Sequence, residues 1–253
     1  MSEQGPPAPR SDAGRAGAEP ASPMRAEHAP AEARRHEPTI GWRANEIEEE
    51  LPQLRLVVSH ARLAGAGAAK RASPRGVERR LHDLSNRYKG ARAVGVRREP
   101  VPAAYRVFYR QIGLDPEVAQ TPIEAAVLER MLHGGFLSEG LLQDVLLIAL
   151  IDTGVPVWAL DAEAVDGELG VRLSREGEPL GRASDAWSLP AGRLVVADSS
   201  TALGLLFGEV ASDCRPGART RELQLFAVQV AGVPTLYVEE ALWICRNGLE
   251  QAR

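Results

Sequence analysis

Residues 140–182 read GLLQDVLLIALIDTGVPVWALDAEAVDGELGVRLSREGEPLGR. An almost wholly apolar helix is predicted over 140–151, carrying one carboxylate, Asp144. It runs into the turn Asp152-Thr153-Gly154. A short strand over Pro156–Leu160 follows, then Asp161, a glycine-bearing turn and the strand–turn ELGVRLSREGE. This is where the chain changes from helical to strand-rich patterning.

Upstream, IEEELPQLRLVVSHARL reads as an acidic helical turn and a strand from Leu54 to Leu63, so the fold is expected to begin near Ile40. A Gly/Ala loop, AGAGAAKRA, comes next. Ser73-Pro74 supplies an N-cap and a first-turn proline. Val77, Leu81, Leu84 and Tyr88 recur at helical spacing, with Arg75, Arg79, Arg80, Arg87 and Lys89 mainly off that stripe. Gly90 stops this helix, and a short strand is expected around Ala93–Val96. A helix from about Pro102 to Ile112 buries Tyr105, Phe108, Tyr109 and Ile112 and ends at Gly113 and Pro116. Thr121-Pro122-Ile123-Glu124 is a capping box that launches a helix to about His133.

Downstream, strands are expected over Glu168–Leu173, Arg193–Asp198, Ala202–Phe207 and Leu223–Val230. A last helix, about Val238–Glu250, puts Ala241, Leu242, Cys245 and Leu249 on one face. Helices first and a block of strands after them argue for α+β, with layered mixed or antiparallel sheets and flanking helices, and against a doubly wound parallel sheet.

At 253 residues and 44% apolar the chain buries a sizeable core, and a single domain over 40–253 is expected. Residues 1–39 are a Pro/Ala/Arg/Glu tract with too little apolar surface to offset ordering entropy, so a disordered tail is expected. Cys214 and Cys245 stand far apart with no CxxC or Cys/His cluster. Buried free thiols are expected, with no metal and no cofactor. There is no secretory signal, and the run Val145–Ile151 is far below the roughly 20 residues that span a bilayer. A soluble cytoplasmic protein without membrane contact is expected. Charge is uneven: 55–110 holds 14 Lys and Arg against Glu78, Asp83 and Glu99, whereas 111–253 holds 10 Arg against 21 Asp and Glu. A polyanion-binding surface needs such a basic segment, and a plain solvated helix face fits it equally.

Asp144, Gly154, Pro156, Asp161, Arg172, Gly177, Glu178 and Gly181 together resemble the B3/B4 domain of the phenylalanyl-tRNA synthetase β subunit in its free-standing form. The family run has the form V-D-x-x-N-x-x-x-x-x-x-G-x-P-[IL]-x-A-[FY]-D. The resemblance covers roughly 40–250, most fully 105–240. It implies a β-rich, three-layer α+β fold, a tRNA-facing surface and an ester-hydrolysing proofreading pocket built on the segment Asp144–Asp161. Laid on that pattern, the Thr and Asn positions fall on Leu146 and Leu147, the Pro is Pro156, and the His position falls on Trp158. A Glu position counted from Thr220 falls on Phe226.

Each polar reader of the amino acid is thus replaced by an apolar side chain. A pocket selects a phenolic hydroxyl strongly only where it offers hydrogen-bond partners, and the Trp158 indole N–H can only donate. The expectation is a degenerate apolar pocket lined by Leu146, Leu147, Pro156, Trp158, Gly204 and Phe226, with no catalytic residue to name. Backbone N–H groups alone can stabilise ester hydrolysis. Gly204, Gly208 and the Ser199-Ser200-Thr201 loop are candidate donors, or ordinary turns. The resemblance implies a structural Asp144 that ties its helix to nearby backbone, and Asp161 and Asp198 read as turn-formers. His60 and His133 lack metal spacing, and Asp213-Cys214-Arg215 offers no nucleophile–base arrangement.

Three functions are consistent with these residues. The first is an RNA-binding module that engages tRNA or aminoacyl-tRNA, and not DNA. Its contacts would be Arg75, Arg79, Arg80, Arg87 and Lys89, with Arg215, Arg219 and Arg221 where the family has a basic loop. The second is a deacylase releasing a misattached apolar amino acid from tRNA. The third is a fold repurposed to bind a small apolar molecule or a protein. Nothing resembles an ATP-binding aminoacylation core, so a full aminoacyl-tRNA ligase is excluded.

Overall fold

The structure is a computed structural model that describes Met1, residues 37–65 and residues 67–252. Most of the tail expected over 1–39 therefore lies outside the described residues. The chain runs β1 (Thr39–Ile40), β2 (Trp42–Arg43), α1 (Asn45–Glu50), β3 (Arg55–Arg62), α2 (Arg75–Arg87), α3 (Ala91–Gly95), α4 (Pro100–Gln111), α5 (Pro122–His133) and α6 (Leu141–Thr153). It continues β4 (Val157–Asp161), β5 (Gly170–Leu173), β6 (Glu178–Pro179), β7 (Ser188–Leu189), β8 (Leu194–Ala197), β9 (Ala202–Leu205), β10 (Glu222–Gln229) and α7 (Thr235–Glu250). The architecture is α+β, with sheets β1-β3-β10-β4 and β2-β5-β8-β9 and the small pair β6-β7. The first sheet is antiparallel throughout; in the second, β2 lies parallel to β5.

Strand β10 is buried from Leu223 to Gln229, central in its sheet between β3 and β4, and its stretch Leu225–Val228 is a continuous apolar run. The Leu63 N–H donates to the Arg221 carbonyl at 2.9 Å, which fixes the parity of the ladder. Odd-numbered residues of β10 turn their backbone groups to β3, and even-numbered ones turn them to β4. Continuing the β10–β4 register brings Val228 opposite Pro156, which has no N–H to give. The buried Tyr105 hydroxyl donates to the Val228 carbonyl instead, at 2.8 Å. That bond explains why a phenol sits in the core of α4.

Two apolar clusters meet across α6. Leu141, Leu142, Val145 and Ala149 belong to the sheet core; Ile148, Leu150 and Ile151 belong to a smaller cluster with Leu81 and Leu84 of α2, Tyr88 just beyond it, and Ile123 and Val127 of α5. Serving both cores requires a helix that is apolar nearly all round. Helix α7 packs on α6, β3 and β10 through Val238, Ala241, Leu242, Cys245 and Leu249. Glu124 completes the box at the start of α5, accepting from the Thr121 N–H at 3.2 Å and hydroxyl at 2.6 Å.

Two local expectations are corrected. The strand expected at Ala93–Val96 is helical, with α3 ending at Gly95 and a 3-10 turn over Val96–Arg98. Ala93 and Val96 are buried three residues apart while Val94 is exposed, a helical period and not an alternating one. Ser73 does not cap α2, whose N-cap is Pro74; its hydroxyl donates to Asp144 at 2.6 Å. Tyr105→Phe is expected to leave the Val228 carbonyl unpaired and to cost about 1–3 kcal/mol, read as a lower midpoint in urea unfolding with an unchanged slope.

Candidate functional site

Helix α6 and strand β4 border a cleft of about 830 Å3. Leu142, Leu146 and Leu150 lie at four-residue spacing on one face of α6 and, with Leu147, form one wall. Pro156, Val157, Trp158 and Ala159 form another, and Phe207 and Val210 also line the hollow. Lys70, Glu139, Gln143 and Arg215 line it as exposed residues and form a charged and polar rim over an apolar interior.

An aromatic nest sets the Trp158 wall. The indole stacks on Phe226 with centroids 5.5 Å apart and planes 10° from parallel. It meets Phe207 edge-on at 5.7 Å. Phe207 is held at φ 60, a conformation costly for a bulky residue, and Tyr105, Phe108 and Tyr109 surround it at 5.6, 5.7 and 5.3 Å. Neither Phe207 nor the α6 positions Leu142 and Leu150 were singled out as cleft residues from the sequence. The helical spacing of the leucines could have marked them; the place of Phe207 depends on the tertiary structure.

Of the residues expected to line a pocket, Leu146, Leu147, Pro156 and Trp158 share this cleft. Phe226 does not reach it: the ring is 2% exposed and lies behind Trp158, propping the indole. Gly204 is buried in β9, opposite Val196 and bridged to Val210, and Val210 reaches the cleft in its stead. The backbone donors expected near Gly204 are committed elsewhere. Ser200 and Thr201 N–H donate to Asp198 Oδ1 at 3.0 and 2.9 Å, Ser199 N–H to the Asp166 carbonyl at 3.2 Å, and Gly208 N–H to the Leu205 carbonyl at 3.0 Å.

The carboxylates are likewise satisfied within the fold. Asp144, 1% exposed, accepts from the Ser73 and Ser138 hydroxyls and from the Glu139 N–H at 2.8 Å, so it fixes the loop that presents Glu139. Asp161 accepts from the Glu163 N–H at 3.1 Å and from the Thr220 hydroxyl. Burial would raise the Asp198 carboxyl, but the Ser200, Asp166 and Thr201 N–H groups and the Arg182 guanidinium outweigh it and hold the group below its ordinary value. Cys214 and Cys245 are free and buried, and burial, with Asp213 nearby, pushes the Cys214 thiol up to about 11. His133 sits 3.2 Å from Glu129 on α5. No group of three metal-ligating side chains occurs among the described residues.

The basic residues divide. Arg80 and Arg87 bind Asp152 at 2.6 and 3.4 Å, and Arg106 is buried between Glu117 and Glu124. Arg75, Arg79 and Lys89 are exposed on or just beyond α2, and no ion pair ties them among the described residues. Arg215 donates to the Val210 carbonyl at 3.0 Å and meets Glu209 at 3.4 Å, which orients it along the cleft rim; Arg219 and Arg221 are exposed beyond it.

A carboxylate whose value is lowered on folding stabilises the protein above its unfolded value, and that contribution fades as pH falls through the folded one. The stability difference between the wild type and Asp198→Asn is therefore expected to be constant at neutral pH and to shrink below the ordinary value of 3.8, as read by urea unfolding across pH.

No protein-family model matches the chain. It is 38% identical over 88 residues to the phenylalanine–tRNA ligase beta subunit of Xanthomonas axonopodis pv. citri, a match covering 35% of this chain and 10% of that protein. It is 37% identical over 87 residues to the same subunit of Xylella fastidiosa strain Temecula1, covering 34% of this chain and 10% of the relative. The chain thus spans about a tenth of the length of the curated relatives it matches. Among the described residues no helix is long and apolar enough to cross a membrane. About a third of this chain is similar to a segment of phenylalanine–tRNA ligase beta subunits.

Proposed function

We propose that this chain is a B3/B4-type module that binds tRNA or aminoacyl-tRNA and receives the aminoacyl end in the cleft between α6 and β4. One observation carries the reading: an interior of Leu142, Leu146, Leu147, Leu150, Trp158 and Phe207 opens at a rim holding Lys70 and Arg215. Apolar walls suit an aliphatic or aromatic side chain, and rim cations suit the phosphates of the strand that delivers it. The similarity to phenylalanine–tRNA ligase beta subunits supports the same reading. Arg75, Arg79 and Lys89, with Arg219 and Arg221, supply further cations for the RNA backbone.

Binding is favoured over hydrolysis as the main activity, because Asp144, Asp161 and Asp198 are each tied into the scaffold. Glu139 and Gln143 are the polar side chains left to meet a bound aminoacyl group, apart from the rim cations.

Bulk tRNA is expected to shift the protein in a gel at low ionic strength, with log affinity falling linearly in log salt. Arg215→Ala is expected to flatten that slope by about one unit, the mark of one phosphate contact. Absence of any shift at low salt would remove the reading. A panel of mischarged tRNAs then separates binding from turnover. Release of amino acid above that of a Trp158→Ala control would make the chain a deacylase.

A further inference from the structure

Strand β4 ends its sheet, and its free edge faces the cleft. In β10 the even-numbered residues point their backbone groups at β4, so the register Phe226↔Trp158 and Gln224↔Leu160 turns the Trp158 and Leu160 groups inward. The N–H and C=O groups of Val157 and Ala159 therefore point away from β10. Both residues are more than nine-tenths buried and both line the cleft. Trp158 lines it too, although its side chain leaves the opposite face of the strand, which places the hollow off the strand's edge. No described residue hydrogen-bonds to the Ala159 N–H or C=O. Backbone donors and acceptors on a cleft wall pair with water until a ligand replaces it, so this edge is open to pairing with a group that enters the cleft.

We infer that the Ala159 backbone is the recognition element for the α-amino and carbonyl groups of an aminoacyl unit, an inference that rests on the function proposed above. One residue's N–H and C=O, pointing the same way, meet one extended amino-acid unit in the reciprocal two-bond pairing of an antiparallel ladder. The ligand's α-ammonium donates to the Ala159 carbonyl, and its acyl oxygen accepts from the Ala159 N–H. The side chain then lies within the leucine and tryptophan walls, and Lys70 and Arg215 face the phosphates. A longer peptide strand fits less well. The cleft-lining strand residues whose backbone groups point outward are Val157 and Ala159, too short an edge for an extended peptide to run along. Recognition through backbone has a consequence for selectivity: every amino acid presents the same two groups, so the choice among side chains falls to the cleft lining, whose apolar interior disfavours charged ones.

The test uses the full chain, 15N-labelled, and 3′-deoxy-3′-(L-leucylamino)adenosine, in which an amide replaces the labile ester. The Ala159 amide is expected to move downfield and to exchange more slowly with solvent when this probe is added. A des-amino probe lacking the α-ammonium is expected to bind about tenfold more weakly, as is the leucyl probe to Ala159→Pro, each having lost about one hydrogen bond. Proline is tolerated on an edge strand where the N–H faces outward. If that variant does not fold, the amide shift and the des-amino comparison on the wild type decide. An unmoved Ala159 amide with equal binding of both probes overturns the inference, as does tighter binding of an N-acetylated tripeptide than of the leucyl probe. Uncharged tRNA is titrated in parallel. Binding of tRNA with a silent Ala159 sinks the subsite alone, whereas an Ala159 response without tRNA binding sinks the RNA reading alone.

Discussion

The register of β10 against its two neighbours is the constraint on which the rest depends. The Leu63 N–H bond to the Arg221 carbonyl shows which residues of β10 serve β3 and which serve β4. From that parity follow the Phe226 ring beneath Trp158, the carbonyl of Val228 left for Tyr105, and the outward edge of β4. A slip of one residue would move every side chain to the other face and dismantle all three features together. Both faces of β10 are buried, so such a slip would force Phe226 into space packed for a smaller neighbour such as Ala227, and that misfit makes it costly.

Helix α6 is the second fixed part. It bridges two apolar clusters, and its buried acid, Asp144, is held by two hydroxyls and a backbone N–H. A buried carboxylate is tolerable only when so paired. The same helix therefore presents a rigid leucine wall on one side and anchors the loop carrying Glu139 at the cleft rim. A site framed by a packed helix and a paired strand holds its geometry better than one framed by loops.

Much of this was legible in the chain. Helices α2 and α4 to α7 and the longer strands fall where hydrophobic spacing and turn residues place them, to within a few residues at the ends. The two-residue strands β1, β2, β6 and β7 did not show, because two residues carry no period. Ala93–Val96 was misread for a related reason: in four small or branched residues, alternation and helical spacing look alike, and only burial of Ala93 and Val96 separates them. Ser73 reads as a cap by position alone, yet its hydroxyl is drawn to Asp144, 71 residues away in sequence.

Sequence by itself determined the α+β order of elements, the apolar character of α6 and the apolar side chains at Leu146, Leu147 and Trp158, since these are properties of residue type and spacing. Tertiary structure alone decided which of them meet. It moved Phe226 behind the indole, committed the Ser199–Thr201 amides to Asp166 and Asp198, and neutralised part of the basic segment by bringing Asp152 to Arg80 and Arg87. It also left the Ala159 amide and carbonyl facing a hollow. The physical reason is that the direction of a backbone group depends on its partner strand, and a sequence records side chains, not partners.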